Sequence, residues 1–100
     1  MYIKYKIEYF PAAKIEYKEA RHWYSLISSN LEKRFITAIK NAFIELNKNP
    51  KAYGIRYKNI RIIHPKKFPF NIHFYISEEI IVIVAIIHNR RNPEIVISRV

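Results

Sequence analysis
The 100-residue sequence contains no cysteine and no aspartate, and its only glycine is Gly54. Without thiols there is no disulfide, thiolate zinc site or cysteine nucleophile, and the redox compartment is left open. A single glycine excludes a phosphate-binding P-loop and a dinucleotide fingerprint, which need several glycines in one turn. His and Glu nowhere recur at metal-ligand spacing, so no metal or other cofactor is expected. The serines fall at helix ends, turns and the C-terminal tail, which argues against a Ser-His-acid nucleophile. No apolar run reaches the length of a membrane span, and Met1 to Lys6 alternates apolar and charged residues, unlike a signal peptide. A soluble, cytoplasmic protein without a membrane partner is expected.

Acidic residues are also scarce. Eighteen Lys and Arg face eight acids, all of them Glu, for a net charge of +10. Between Leu46 and Ser77 there is no acid, while Lys48, Lys51, Arg56, Lys58, Arg61, Lys66 and Lys67 supply cations. Such a field favours nucleic acid, the ribosome or an acidic protein segment as partner, and makes association sensitive to salt. The plainer explanation is a biased genome that raises Lys and Ile everywhere. That bias would raise Glu as well.

Half of the residues are hydrophobic and 15% are aromatic, enough for one modest core, so a single domain spanning 1–100 is expected. Ile3, Tyr5, Ile7 and Tyr9 alternate with charged residues, a strand with one wet face. Pro11 then opens a helix whose stripe is Ala13, Tyr17, Ala20, Tyr24 and Ile27, widened by Trp23. Ser29 with Glu32 has the spacing of a capping box for a second helix, with stripe Leu31, Phe35, Ala38, Ile39, Ala42 and Leu46, ended by Asn49-Pro50. Trp23, Tyr24 and Phe35 are expected in the core. The rest reads as strands over Ile55–His64, Phe70–Ile76 and Ile80–Ile87, the last apolar on both faces. The expected fold is α+β: a helical hairpin on one face of a four-stranded antiparallel sheet, element order β-α-α-β-β-β. In the strand order 1-4-3-2 the apolar fourth strand is central, and the sheet's other face stays partly open.

Several strings together resemble the RelE/ParE superfamily of bacterial type II toxins. They are Glu19-Ala20 with Trp23-Tyr24, Phe35, Asn49-Pro50 with Tyr53, Ile60-Arg61, Phe68-Pro69-Phe70 with Ile72 and Phe74, and His88 with Arg90-Arg91 and Pro93. The Phe-Pro-aromatic and His-x-Arg-Arg-x-Pro strings are similar to the ParE-type, plasmid-stabilisation branch. The resemblance implies a growth-arresting toxin neutralised by a cognate antitoxin, whose disordered acidic segment folds onto it. ParE proteins poison DNA gyrase, whereas RelE-type relatives cut mRNA on the ribosome, and one fold hosts both activities. A non-toxic basic nucleic-acid-binding domain is a third alternative.

Metal-free RNA cleavage would need a base near the 2′-hydroxyl, cations on the phosphate and an acid for the leaving oxygen. The catalytic candidates are Arg61, His73, Tyr75, His88 and Arg90, with Arg61 foremost because it interrupts Ile60 and Ile62. His64 reads as a strand-end residue. Lys58, Lys66, Lys67, Arg90 and Arg91 are candidate contacts to nucleic acid or a protein partner. Pairing Phe70 with His64 would set Arg61, His73 and Tyr75 on the open face. In the next hairpin, pairing Ile76 with Ile81 brings His88 and Arg90 to that face, and pairing Ile76 with Ile80 turns them away.

Overall fold
The structure, a computed structural model, describes residues 5–100. Ile3, at the start of the expected first strand, lies outside them. The elements are β1 (Lys6–Tyr9), α1 (Pro11–Ile27), α2 (Ser29–Lys48), a 3-10 turn (Pro50–Ala52), β2 (Ile55–Tyr57), β3 (Ile60–Ile63), β4 (Phe70–Ser77), β5 (Ile80–His88) and a short helical turn, α3 (Glu94–Ile97).

Pro11 starts α1, where its missing N–H is not needed and its fixed φ suits the helix. The buried stripe is Ala13, Glu16, Ala20 and Tyr24, with an acid where an apolar residue would be routine. Trp23, expected in the core, is 59% exposed, because the buried stripe passes to its side through Ala20 and Tyr24. Ser28 is extended, and it both ends α1 and begins α2. Its side-chain oxygen accepts the Leu31 N–H at 3.0 Å. The cap therefore lies one residue before the expected Ser29, and Glu32 instead pairs with Arg21 at 3.2 Å. Phe35, Ile39, Ala42 and Leu46 form the buried face of α2. Full burial of Phe35 alone is worth roughly 1.5–3 kcal/mol. Near the end of α2 the Asn47 amide accepts the Tyr5 N–H at 3.0 Å and donates to the Tyr5 carbonyl at 2.8 Å, tying the helix to the start of β1.

The sheet has five strands in the order β1-β5-β4-β3-β2, and it is mixed. β1 lies parallel to β5, with Tyr9 opposite Ile83, and the other pairs are antiparallel. This corrects the four-stranded antiparallel expectation, and one turn is the cause. The segment expected as a single strand over Ile55–His64 reverses at Lys58-Asn59, where Lys58 takes a positive φ of 48°. The extra reversal flips the sense of every later strand, so β5 arrives parallel to β1. The order places the apolar β5 inside the sheet, flanked by β1 and β4, as its two-sided hydrophobicity requires.

The helices cover one sheet face through Phe70, Ile72, Phe74, Ile81, Ile83 and Ile86. The opposite face carries its own cluster, Ile60, Val84, Ala85 and Ile87, closed by Val96 of α3. The face expected to stay open is thus partly covered by the C-terminal segment. Between β4 and β5 the ladder is irregular: Phe74 faces Ile83 and His73 faces Ala85, so Val84 is an extra, bulged residue.

Candidate functional site
The candidate residues separate onto different parts of the sheet. β3 and β4 pair Arg61 with Phe74 and Ile62 with His73, one residue away from the expected register. Arg61 therefore lies on the helix-side face with Phe74, and His73 on the other, since a one-residue slip exchanges faces. Arg61 does not point at an open anion site. Its Nη1 donates to the Tyr53 carbonyl at 2.6 Å and the Lys51 carbonyl at 3.2 Å, pinning the chain between α2 and β2.

His73 is 1% exposed. Its Nδ1 is hydrogen-bonded to the Tyr57 hydroxyl at 3.0 Å, while Nε2 is buried with no partner among the described residues. Burial is the largest influence on this imidazole. Against the opposing pull of Glu16 it lowers the pKa to about 4, leaving the ring neutral at neutral pH. Tyr75 packs edge-on against Phe10, with ring centres 6.4 Å apart, beside the second core cluster.

In the β4–β5 hairpin, Ile76 faces Ile81, the register that would have carried His88 to the face of His73. The bulge at Val84 undoes this. Past it the register shifts by one, so His88 pairs with Phe70 and lies on the helix side, edge-on to the Phe70 ring at 5.4 Å. Its Nδ1 accepts the Arg90 N–H at 3.1 Å, which sets the turn carrying Arg90 and Arg91 into solvent. Lys58 is far from this end of the sheet, and its ammonium reaches the Val100 carbonyl at 2.6 Å.

What does assemble is a cationic end of the molecule. The start of β4 and the end of β5 lie side by side, joined by a bond from the Asn89 N–H to the Pro69 carbonyl at 2.8 Å. Beneath them Phe68 and Phe70 join Tyr24 and Phe35 in one aromatic cluster, with ring centres 5.0–6.2 Å apart. This ridge separates two depressions. On one side is a groove of about 940 Å³ between α2 and the β3–β4 connection, bearing Lys33, Arg34, His64, Lys66 and Lys67. On the other is a hollow of about 280 Å³ between α1 and the end of β5, with Trp23, His88 and Arg91 at its margin. Among the described residues neither Lys66, Lys67, Arg90 nor Arg91 is paired with a carboxylate. Exposed cations without ion-pair partners attract anionic groups from a distance.

The sequence reading missed a second polar centre. The Arg99 guanidinium holds the Glu16 carboxylate in a two-point bond, Nη2 to Oε2 at 2.8 Å and Nη1 to Oε1 at 3.0 Å. Glu16 Oε1 also accepts the Ile86 N–H at 3.1 Å, and Arg99 donates to the Val84 carbonyl at 3.1 Å. β1 pairs with β5 only as far as Ile83, so these two side chains satisfy backbone groups of β5 where its strand partner ends. An acid at i+3 from Ala13 and i−4 from Ala20, inside the apolar stripe, was the available signal. Arg99, in a short tail, offered none.

The sequence profile of the ParE toxins of type II toxin–antitoxin systems, parDE, matches residues 7–93. No curated protein matches the sequence. The fold is similar to that of a chain from a solved chromosomal ParDE TA system of P. aeruginosa, with a TM-score of 0.70 and 16% identity, covering 85% of this chain and 96% of that one.

Proposed function
We propose, on the premise that this chain belongs to the ParE toxin family of type II toxin–antitoxin systems, that its growth-arresting target is DNA gyrase. Family membership makes the chain a toxin with a cognate antitoxin as partner. The finer reading is that it binds gyrase and corrupts it without covalent chemistry of its own, while an acidic, partly disordered antitoxin segment holds it inactive. The observation that supports this best is the cationic turn after β5, where Arg90 and Arg91 are exposed, Arg91 at the margin of the Trp23 hollow, and neither forms an ion pair among the described residues.

The ribosome-dependent endoribonuclease alternative has less support. It needs a base and phosphate-binding cations around one exposed point. Arg61 is committed to backbone carbonyls, His73 is buried, and His88 is on the other face from His73. The purified chain is therefore expected to trap gyrase on supercoiled plasmid, giving linear DNA after detergent and protease treatment. Absence of trapped breaks, together with cleaved message in primer extension on translated mRNA, would refute the gyrase reading and favour the nuclease.

A further inference from the structure
We propose that the hollow between α1 and the end of β5 takes one unpaired base of single-stranded DNA, stacked on Trp23 with its phosphate on Arg91. The proposal rests on the gyrase reading above, which brings the chain to DNA, and adds a contact to the DNA itself. Trp23 is the only tryptophan of the sequence, and it is 59% exposed. Tyr24 meets it edge-on with ring centres 5.1 Å apart, and Tyr24 is itself held in the aromatic cluster by Phe35 and Phe70. An exposed indole on a fixed support offers a flat apolar surface on which a nucleobase can stack. The hollow beside it is lined by Ala20, Phe70, Ile86 and Ile87. Its volume of about 280 Å³ falls just below the roughly 300–1,000 Å³ of common small-molecule pockets, room for one base. A base still stacked and paired in a duplex has no free face to present to it.

The polar groups around this apolar lining carry both signs. Arg91 is exposed and forms no ion pair among the described residues. His88 uses Nδ1 to accept the Arg90 N–H, so its neutral ring keeps a proton on Nε2 as a donor. Glu16 has both carboxylate oxygens engaged by Arg99. Glu19 is different: it is exposed, lies one turn before Trp23 on the same face of α1, and forms no ion pair among the described residues. A nucleotide matches this set, with a phosphate for Arg91, a flat ring for Trp23 and, on cytosine, an exocyclic amino group for a carboxylate. An acidic peptide would suit Arg91 and be repelled by Glu19, and a basic peptide the reverse. The site is on the helix side of the sheet, away from His73, and its role is binding.

The test is binding of the purified chain to DNA oligomers of about 12 nucleotides at neutral pH, read by Trp23 emission and by anisotropy of labelled DNA. A single-stranded deoxycytidine oligomer should quench Trp23, the one indole present, and a duplex of equal length should not. Trp23→Ala should weaken single-strand binding roughly 5- to 150-fold, the range for loss of one stacked base, and Trp23→Phe should restore most of it. Arg91→Ala should reduce the steepness of log affinity against log salt by about 0.7, one phosphate contact on a single strand. Lys14→Ala removes a cation from the opposite face of α1 and should leave affinity and slope unchanged. The deoxycytidine oligomer should bind about fivefold or more tighter than a thymidine one, and Glu19→Ala should erase that preference. Circular dichroism confirms that each variant is folded. Single-strand binding that leaves Trp23 emission unchanged and survives Trp23→Ala would be the field of the +10 surface alone, and overturns the proposal. So does emission that changes with protein concentration and not with DNA, which would make the hollow an interface between two copies. Absence of any oligomer binding also overturns it, and gyrase trapping by the same preparation would show that the gyrase reading stands without it.

Discussion

Replacing Arg99 by Ala should unfold much of the margin that keeps this domain native. The Arg99 and Glu16 side chains are only 18% and 8% exposed. Removing the guanidinium leaves a buried carboxylate with the Ile86 N–H as its sole remaining partner, and frees the Val84 carbonyl. Stranding a buried charge costs about 3–5 kcal/mol, against a total stability of roughly 5–15 kcal/mol for a domain of this kind. At about 4–8 °C per kcal/mol, the midpoint of thermal unfolding should fall by on the order of 20 °C. The double variant Glu16→Gln/Arg99→Met separates charge from packing. It keeps an acceptor for Ile86 and removes both charges, so the groups left unmet, the Val84 carbonyl and the introduced amide N–H, are neutral and cost less than a stranded charge, from about 1 kcal/mol each. Thermal melts followed by far-UV circular dichroism should therefore rank wild type above the double variant, and the double variant above Arg99→Ala. An Arg99→Ala midpoint within about 3 °C of wild type, or a double variant less stable than the single, would refute the role assigned to this pair.

Three further outcomes are expected. His73 titrates at about 4 in the folded chain, below its ordinary 6.5, so the unfolded chain takes up the proton first as pH falls. Its contribution is complete above pH 6.5 and disappears on descent to about 4, worth about 3 kcal/mol in all. Urea titrations across that window should show a shallower pH slope for His73→Leu, and an unchanged slope would contradict a neutral buried ring. Arg61→Ala should cost about 1–2 kcal/mol of stability through the carbonyls of Lys51 and Tyr53, and a midpoint identical to wild type would argue against that staple. Arg90→Ala/Arg91→Ala changes exposed groups only, so its melting point should stay within about 2 °C of wild type. Its toxicity on induction should fall at least about tenfold in viable counts, as expected when charged contacts to a partner are lost; full toxicity would remove this turn from the target surface.

Periodicity made the helices and most strands legible. Of the expected stripes, Ala13, Ala20 and Tyr24 on α1 and Phe35, Ile39, Ala42 and Leu46 on α2 are buried, whereas Ile27 at the end of α1 is 58% exposed, and the two-sided apolar strand is indeed interior to the sheet. Two local irregularities escaped: one added a strand to the sheet and the other moved His88 to the helix side. The turn at Lys58-Asn59 sits within a strand-like run and uses Lys, not Gly, at a positive φ, so composition did not mark it. The bulge at Val84 lies in an unbroken run of Ile, Val and Ala, where nothing distinguishes one residue from its neighbour. The turn reverses strand sense, whereas the bulge shifts register by a single step, as does the β3–β4 pairing of Arg61 with Phe74, and each such step transfers side chains between faces. Thus the cationic strings at Lys66-Lys67 and Arg90-Arg91 were found where the chain displays them, while the expected grouping of Arg61, His73 and His88 was not. Charge at loop tips is readable from sequence because it depends little on register.

The most direct measurement is viable count after induction of this chain alone, and again with the product of the adjoining reading frame. A ParE-family toxin acting on gyrase predicts a steep loss of colonies with accumulating gyrase-linked DNA breaks, and full recovery when the partner is supplied. Undiminished counts at confirmed expression of folded protein, with no such breaks, would contradict it.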